Sequence, residues 1–376
     1  MRVLVVGGGP AGLYFSALLK SSNPDHDVTI LERNPPGATY GFGVVFPEAA
    51  LGYLGEADRD SHARIVEALE TWRDLTIVHR DHAVRIDGNG FSGIARLELL
   101  RLLADFCHQA GVVVRHNVEA RARDLEGYDL VVGADGINSV VRESARATFQ
   151  PNIETLTNWF IWYGTQRVFD TLTLTFRASE DGHFVAHHYR YSPEMSTFIV
   201  ECDAETHRAA GFSEMSDAES RRYCEGIFAN DLEGNALISN ASIWRRFSVT
   251  RVENWSDGNR VLIGDALRSV HFSIGSGTRL ALEDAIALWR ALVEFPNDVG
   301  DALRAFEAAR RPVVEKLLNA AAGSYGWYEH IARHMRLEPL DLAYAYMTRS
   351  GRVDETRLRS IAPGFMCDYD LSRSAN

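Results

Sequence analysis

Gly7-Gly8-Gly9-Pro10-Ala11-Gly12 follows the apolar run Arg2–Val6 and opens onto a segment that reads as a helix to about Lys20. A second β-branched run, Val28–Leu31, comes next, so the order is strand, turn, helix, strand. In a GxGxxG at such a junction the first glycine permits a tight turn and the second lets backbone approach a pyrophosphate. The third lets the helix pack on the strand. The free N–H groups and dipole of the helix start then stabilise phosphate charge. Glu32 stands twenty residues after Gly12, at the end of the second strand, where a carboxylate meets a ribose hydroxyl pair. Gly7, Gly9, Pro10, Ala11, Gly12, Glu32 and its neighbour Arg33 are therefore candidate dinucleotide-binding residues. A purely structural glycine turn would leave the acid in register unexplained.

Outward from that start, a helix is expected over about Leu97–Gln109, with Gly111 as its stop. Short strands at Val112–His116 and Leu130–Gly133 would return to the same sheet. From Trp159 to Cys202 the texture changes to β-branched and aromatic runs, Trp159–Tyr163, Thr171–Phe176, Phe184–Tyr191 and Ser196–Glu201, separated by turn-like clusters. This reads as an antiparallel sheet inserted into the first domain. An apolar strand returns near Arg260–Gly264, followed by a helix from Ser276 to about Phe295. Largely helical sequence then runs from Val299 to about Thr348, with a charged, irregular tail beyond. The expected division is a discontinuous nucleotide domain over 1–150 and 245–300, a sheet domain over 151–244, and a helical region over 301–376.

Composition narrows the function. The 376 residues are 46% hydrophobic, enough for a sizeable core. The 39 basic against 51 acidic side chains give a net charge of −12, which disfavours sequence-independent nucleic-acid binding. No apolar run reaches the roughly eighteen residues of a membrane span, and no secretory leader is evident. Cys107, Cys202, Cys224 and Cys367 lie far apart, without CxxC or metal-ligand spacing, so no metal is expected. Free thiols suit a reducing cytoplasm.

FAD and NAD share the glycine fingerprint, and further motifs separate them. Val132-Gly133-Ala134-Asp135-Gly136-Ile137-Asn138-Ser139, followed by Arg142, resembles the DG motif of the class A flavoprotein aromatic monooxygenases, the para-hydroxybenzoate hydroxylase-like superfamily. Val261-Leu262-Ile263-Gly264-Asp265-Ala266 resembles its GD motif. Arg96, in Ile94-Ala95-Arg96-Leu97, matches the family arginine that reaches FAD from the start of a helix. Taken singly, Asp135 and Asp265 also suit loop-capping aspartates. Three motifs in the family's order imply an α/β fold: a Rossmann-like FAD-binding βαβ domain, an inserted antiparallel substrate sheet and a helical C-terminal region. The resemblance implies FAD as cofactor, NADH or NADPH as reductant and O2 as co-substrate. It places Asp265 on the ribityl chain and Asp135 near the flavin and the nicotinamide route. No second GxGxxG is apparent, so the reductant is expected to bind transiently at the flavin cleft.

After the GD motif the chain reads Leu267-Arg268-Ser269-Val270-His271-Phe272-Ser273-Ile274-Gly275-Ser276-Gly277-Thr278. The family usually has histidine where Arg268 stands and prolines near His271, so a different pocket wall is implied. His271 becomes a catalytic candidate, with a loop-holding histidine as the plain alternative. Gly275, Gly277 and Thr278 precede a helix, where bare N–H groups can approach the pyrimidine end of a flavin. The string around His271, with Trp162-Tyr163-Gly164-Thr165 and Ser196–Cys202, is similar to one subgroup. It contains salicylyl-CoA 5-hydroxylases, 2-aminobenzoyl-CoA monooxygenases and violacein-pathway hydroxylases. Met347–Val353 resembles the aryl-CoA enzymes in particular, many of which continue into a fused reductase that a chain of this length is expected to lack.

The resemblance implies that an electrophilic flavin C4a-hydroperoxide oxygen is attacked by an aromatic ring, preferentially para to a hydroxyl or amino group. By strand alternation Trp162, Tyr163, His187, Tyr189 and Tyr191 are candidate pocket residues, each of which also suits plain sheet core. His187 and His188 point to opposite faces, and His187 is the catalytic candidate of the two. Arg245 and Arg246 are candidate contacts for the phosphates of a CoA thioester, against a solvated-surface alternative. The expected partner is a small aromatic substrate, in a monomer or homodimer, with no nucleic acid and no membrane. A free aromatic acid or an indolic substrate stays open. So does a redox-silent flavin-binding protein. A flavin halogenase fits poorly, because Trp159-Phe160-Ile161-Trp162 has the wrong spacing for its Trp-x-Trp motif.

Overall fold

A computed structural model describes residues 1–47 and 51–374. The opening βαβ unit forms as its pattern dictates: strand Arg2–Val6, helix Pro10–Ser22, strand Asp27–Glu32. These strands lie in a six-stranded sheet whose order is Ser256–Asp257, Arg260–Leu262, Leu130–Gly133, Arg2–Val6, Asp27–Glu32, Val113–His116. All pairings are parallel except the short Ser256–Asp257 hairpin. Parallel strands are covered on both faces, which is why they read as unbroken apolar runs. Val3, Leu4, Val5, Leu130, Val131 and Val132 are fully buried. Helices Pro10–Ser22, Arg96–Ala110 and Gly277–Glu294 pack together on this sheet. Gly111, at φ +83°, ends the second of them in the left-handed conformation.

The antiparallel sheet is larger than its sequence signal. Its order is Leu237–Ile238, Pro151–Thr165, Met195–Cys202, Gly182–Ser192, Leu172–Ser179, Leu75–His79, His82–Ile86, with Arg245–Val252 also paired to Pro151–Thr165. Three strands thus come from outside 151–244, and Leu75–His79 pairs in parallel with Leu172–Ser179. One face carries Ile161, Tyr163, Phe184 and Phe198 into a core with Phe212, Cys224 and Phe228 from the neighbouring helices. The opposite face carries His187, Tyr189 and Glu201 towards the nucleotide-binding side. A third sheet, Gly43–Pro47, Phe91–Ala95 and Glu70–Trp72, bridges the two.

The tail departs from the sequence expectation. Rather than an irregular segment, helices Glu355–Ile361 and Pro363–Ser374 follow Pro339–Thr348. Asp354 caps the first by accepting from the Arg357 N–H, and Pro363 starts the second. Both are held by burial rather than by propensity. Leu358, Phe365, Met366 and Tyr369 join Leu75, Ile77 and Ile86 in one apolar cluster. The sheet strands that receive them had no strong signal of their own, so nothing in the tail announced a partner.

Candidate functional site

At the end of the first strand the glycines divide their tasks sterically. A Cβ at Gly7 (φ +106°) would lie 2.3 Å from the Ala134 carbonyl oxygen, and one at Gly12 would lie 2.1 Å from that of Gly7. A Cβ at Gly9 would meet nothing within 4 Å, so backbone is open there to a ligand. Helix Pro10–Ser22 has Gly9 as its N-cap, Pro10 in its first turn and no side chain capping its N–H groups. Ala11 is buried beneath that turn. Glu32 accepts from the Gly8 N–H (2.7 Å) and from Asn34 N (2.8 Å) and Nδ2 (2.7 Å), which fixes its carboxylate beside the loop. Arg33 is exposed and has no side-chain hydrogen bond among the described residues.

The DG and GD segments meet across this cleft. Asp135 Oδ2 accepts from the first-turn N–H of Val140 (2.6 Å), while Ser139 caps helix Val140–Ser144 by accepting from Arg142 N (3.0 Å). The other Asp135 oxygen, Oδ1, is buried with no partner among the described residues. Arg142 donates to Ala266 O (2.9 Å) and Ile137 O (2.6 Å), fastening one motif to the other. Asp265 is solvent-facing, though the protein around it pushes its carboxyl pKa up, against Arg96 and Arg268 pulling down. Burial lowers the Arg96 guanidinium from its ordinary value, with Asp265 and Tyr189 acting in the opposite direction. Among the described residues Arg96 has no side-chain hydrogen bond or ion pair, so a cation is left for something else to meet. Open backbone at Gly9, an uncapped helix start, an unpartnered Arg96 and a cleft-facing Asp265 together fit an anionic dinucleotide.

The loop after the GD motif is anchored from behind. Arg268 is buried and donates to Asp284 Oδ2 at 2.5 Å, and Gly264 N donates to the same oxygen at 3.1 Å. Arg310 reaches the other oxygen at 3.2 Å and Glu283 at 2.8 Å. Asp284 and Arg310 escaped sequence reading. Their signal was an acid inside the apolar helix run Leu280–Leu288 and an arginine in a long helix, neither of which names a partner. The helix Gly277–Glu294 again begins with no side-chain cap, since the Ser276 hydroxyl donates to Ile274 O. Gly277 and Thr278 occupy its first turn. Gly275 is left-handed (φ +58°), and a Cβ there would press on Val45 at 3.2 Å.

Behind this loop lies a buried cluster on the sheet floor. His187 Nε2 and Glu201 Oε2 are 3.1 Å apart, and Asn158 Nδ2 donates to Glu201 Oε1 at 2.9 Å. The His271 ring lies tilted against Phe272 (4.2 Å between centroids), which also meets His187 edge-on (5.2 Å). His271 Nδ1 accepts from Ser273 N at 3.3 Å. Burial holds the His271 imidazole down at about 4, with Glu201 pulling it up and His187 and Arg349 pushing it further down. Burial alone would raise the Glu201 carboxyl, but His187, His271 and Asn158 bring it below its ordinary value. Arg349 joins the Met347–Val353 segment to this wall: it donates to Ser273 O (2.7 Å) and Ser324 Oγ (2.9 Å). It also caps its own helix at Tyr346 O (2.6 Å).

Two candidates are corrected. Tyr163 is fully buried on the far face, its hydroxyl 3.3 Å from Ser220 Oγ, because odd positions of its strand turn away from the cleft. Arg246 likewise turns to the far side, over the ring of Trp159 (5.6 Å), which stacks on His207. Arg245 pairs opposite Phe160 and stays on the cleft face, exposed and without a side-chain partner among the described residues. Trp162 also faces the cleft, 3.5 Å from where Gly41 would carry a Cβ. Tyr189 donates to Gly43 O at 3.0 Å, and Tyr191 packs so closely on Gly43 that a Cβ there would sit 2.5 Å away. Both line the cleft side, with Tyr189 committed to holding strand Gly43–Pro47. His188 goes to the other face, bonded to Thr175 (2.9 Å) and stacked on Phe198. Among the described residues no group of three His, Cys, Asp or Glu is placed to hold a metal. No helix there is long and apolar enough to cross a membrane.

This cleft is that of a flavoprotein hydroxylase, and the chain matches the FAD binding domain family over residues 98–321 and the NAD(P)-binding Rossmann-like domain over residues 5–39. It belongs to the class A flavoprotein aromatic monooxygenases, enzymes that use FAD, a nicotinamide reductant and O2. It is 40% identical over 365 residues to salicyloyl-CoA 5-hydroxylase of Streptomyces sp, spanning 93% of this chain and 70% of that protein. Identity is 37% over 331 residues to 3-hydroxy-4-methyl-anthranilyl-(aryl-carrier protein) 5-monooxygenase of Streptosporangium sibiricum, covering 88% and 90%. It is 35% over 361 residues to protodeoxyviolaceinate monooxygenase of Chromobacterium violaceum, covering 93% and 94%. The solved tetrameric form of 2-methyl-3-hydroxypyridine-5-carboxylic acid oxygenase shares the fold, with a TM-score of 0.73 at 19% identity over 96% of this chain and 95% of that one.

Proposed function

We propose that this enzyme hydroxylates an aromatic acid presented as a thioester, salicyloyl-CoA at the 5-position or 2-aminobenzoyl-CoA, para to the ring hydroxyl or amino group. One observation carries the reading. Two relatives matched along most of the chain are named for aromatic acyl groups, one joined to CoA and one to a carrier protein. A free indolic substrate is the second reading, favoured by the likeness to protodeoxyviolaceinate monooxygenase.

In this reading the backbone at Gly7–Gly12, Glu32, Arg96, Asp135 and Asp265 would hold the dinucleotide, and the N–H groups at Gly275–Thr278 its ring end. Bound and reduced, the flavin supplies one electrophilic oxygen from O2. The chain's own work is to place the ring carbon, keep water out and move protons. Trp162, Tyr189 and Tyr191 wall the cleft. His187 and His271, both buried behind it, are the groups able to exchange a proton with the ring substituent. Arg245, exposed at the cleft side of the sheet and without a side-chain partner among the described residues, would meet a CoA phosphate. Free thiols at Cys107, Cys202, Cys224 and Cys367 suit the cytoplasm, with the enzyme acting as a monomer or homodimer.

The test is anaerobic flavin reduction by NADH and NADPH with salicyloyl-CoA, 2-aminobenzoyl-CoA, the free acids and tryptophan-like compounds. A thioester should accelerate bleaching most. Acceleration only by a free acid or an indole would overturn the thioester assignment and keep the hydroxylase.

A further inference from the structure

A fully buried carboxylate on the floor of a substrate sheet is costly unless it is paired. Glu201 is paired with care. Asn158, on the same face of strand Pro151–Thr165 as Phe160 and Trp162, donates its amide to Glu201 Oε1 at 2.9 Å. The remaining oxygen faces His187 Nε2 at 3.1 Å. An ionised carboxylate there requires the proton on Nε2, which leaves His187 Nδ1 bare, and no hydrogen bond to Nδ1 is present among the described residues. His271 is held in the same tautomer by a different device. The Ser273 N–H donates to its Nδ1 (3.3 Å), so the proton sits on Nε2 and this ring offers a donor rather than a base.

We propose that Glu201 is a positioning residue that fixes His187 as the base of the hydroxylation, while His271 serves as the hydrogen-bond donor beside it. The inference rests on the aromatic-hydroxylase reading but not on the thioester. The ring O–H (or N–H) bond breaks, and its proton binds His187 Nδ1. The electron pair left on the substituent would flow to the para carbon, which takes one oxygen atom of the O2 that reduced FAD activates; the O–O bond breaks and the other oxygen leaves with its electron pair. That carbon then gives its own proton to the departing oxygen, restoring aromaticity, and the imidazolium returns its proton to the substituent. Glu201 stabilises the imidazolium in between, as the carboxylate does in a Ser-His-Asp triad. Of the other groups, Tyr328 faces His187 (5.1 Å between ring centroids), while Tyr325 and Arg349 act on the neighbouring His271. Arg349 disfavours a second positive charge, which sharpens the need for Glu201.

Two measurements test this. In the wild-type holoenzyme, ring 15N shifts should show His187 protonated on Nε2 and bare on Nδ1. Protonation on Nδ1 overturns the proposal without any variant. In Glu201→Gln, single-turnover hydroxylation should fall roughly tenfold or more, with its acid limb moved down by about one pH unit. Flavin content and the rate of flavin reduction by nicotinamide should stay unchanged, and Glu201→Asp should restore most of the rate. An unmoved acid limb, or an equal fall in flavin reduction, overturns the role. The compound used is whichever aromatic accelerates flavin reduction, so loss of the thioester assignment leaves this test intact.

Discussion

Arg142 donates from Nη1 to the carbonyl oxygen of Ala266 at 2.9 Å, so one buried guanidinium joins two segments 124 residues apart. The pair explains why an arginine follows the Asp135-Gly136 turn. Two aspartates can face one ligand only if their loops keep a fixed spacing, and a charged fork bonded to Ile137 O and Ala266 O supplies it.

Arg142→Met keeps the volume and removes both bonds. Each bond to a charged donor contributes about 1.5–3 kcal/mol. The variant should unfold at lower denaturant concentration and purify with less FAD, read as the ratio of flavin to protein absorbance. Normal stability with full flavin would show the spacing to be set elsewhere.

Asp265→Ala should lower FAD affinity at least tenfold, about 1.4 kcal/mol, with little change in the far-UV spectrum. The aspartate faces solvent and has no side-chain hydrogen bond among the described residues, so its removal leaves the fold intact. Retention of stoichiometric flavin would sink its assignment to the cofactor.

His271→Ala should keep FAD and lose roughly 100-fold in hydroxylation, or consume NAD(P)H without equivalent product. Product formed per nicotinamide oxidised is the measurement. Unchanged turnover and coupling would make the residue a loop support, bonded to Ser273 and nothing more.

Arg268→Ala should cost about 3–5 kcal/mol, because Asp284 is fully buried and would lose its 2.5 Å partner. Arg268→His, the family's usual residue there, should recover part of this. Thermal unfolding of the three proteins decides it.

Stability should fall with acid. His271 is held at about 4 by burial, against an ordinary 6.5 in the unfolded chain. Between these values the unfolded state binds more protons, so the contribution is complete above about 6.5 and is lost as pH falls towards 4. The window is worth at most about 3 kcal/mol. Glu201, held below its ordinary 4.5, adds a loss in the same direction at still lower pH. Urea unfolding across this range should show the slope in wild type and a flatter one in His271→Ala.

What the sequence determined by itself was local. The DG and GD loops were recognised through their resemblance to a family, while the βαβ start, the Gly7–Gly12 turn and the helix stop at Gly111 follow from side-chain size, backbone freedom and period within a few residues. The pocket strands were legible for the same reason, and alternation alone separated His187 from His188. Tertiary structure decided whatever depends on pairing between distant segments. It turned Tyr163 and Arg246 away from the cleft, brought strands Leu75–His79 and His82–Ile86 into the large sheet, and folded the tail into helices over them. It also placed Asn158 on Glu201, Glu201 on His187, and Arg268 with Arg310 on Asp284. A charged residue in a sequence shows its charge but not its partner, and burial makes the partner decide whether that charge holds a wall or moves a proton.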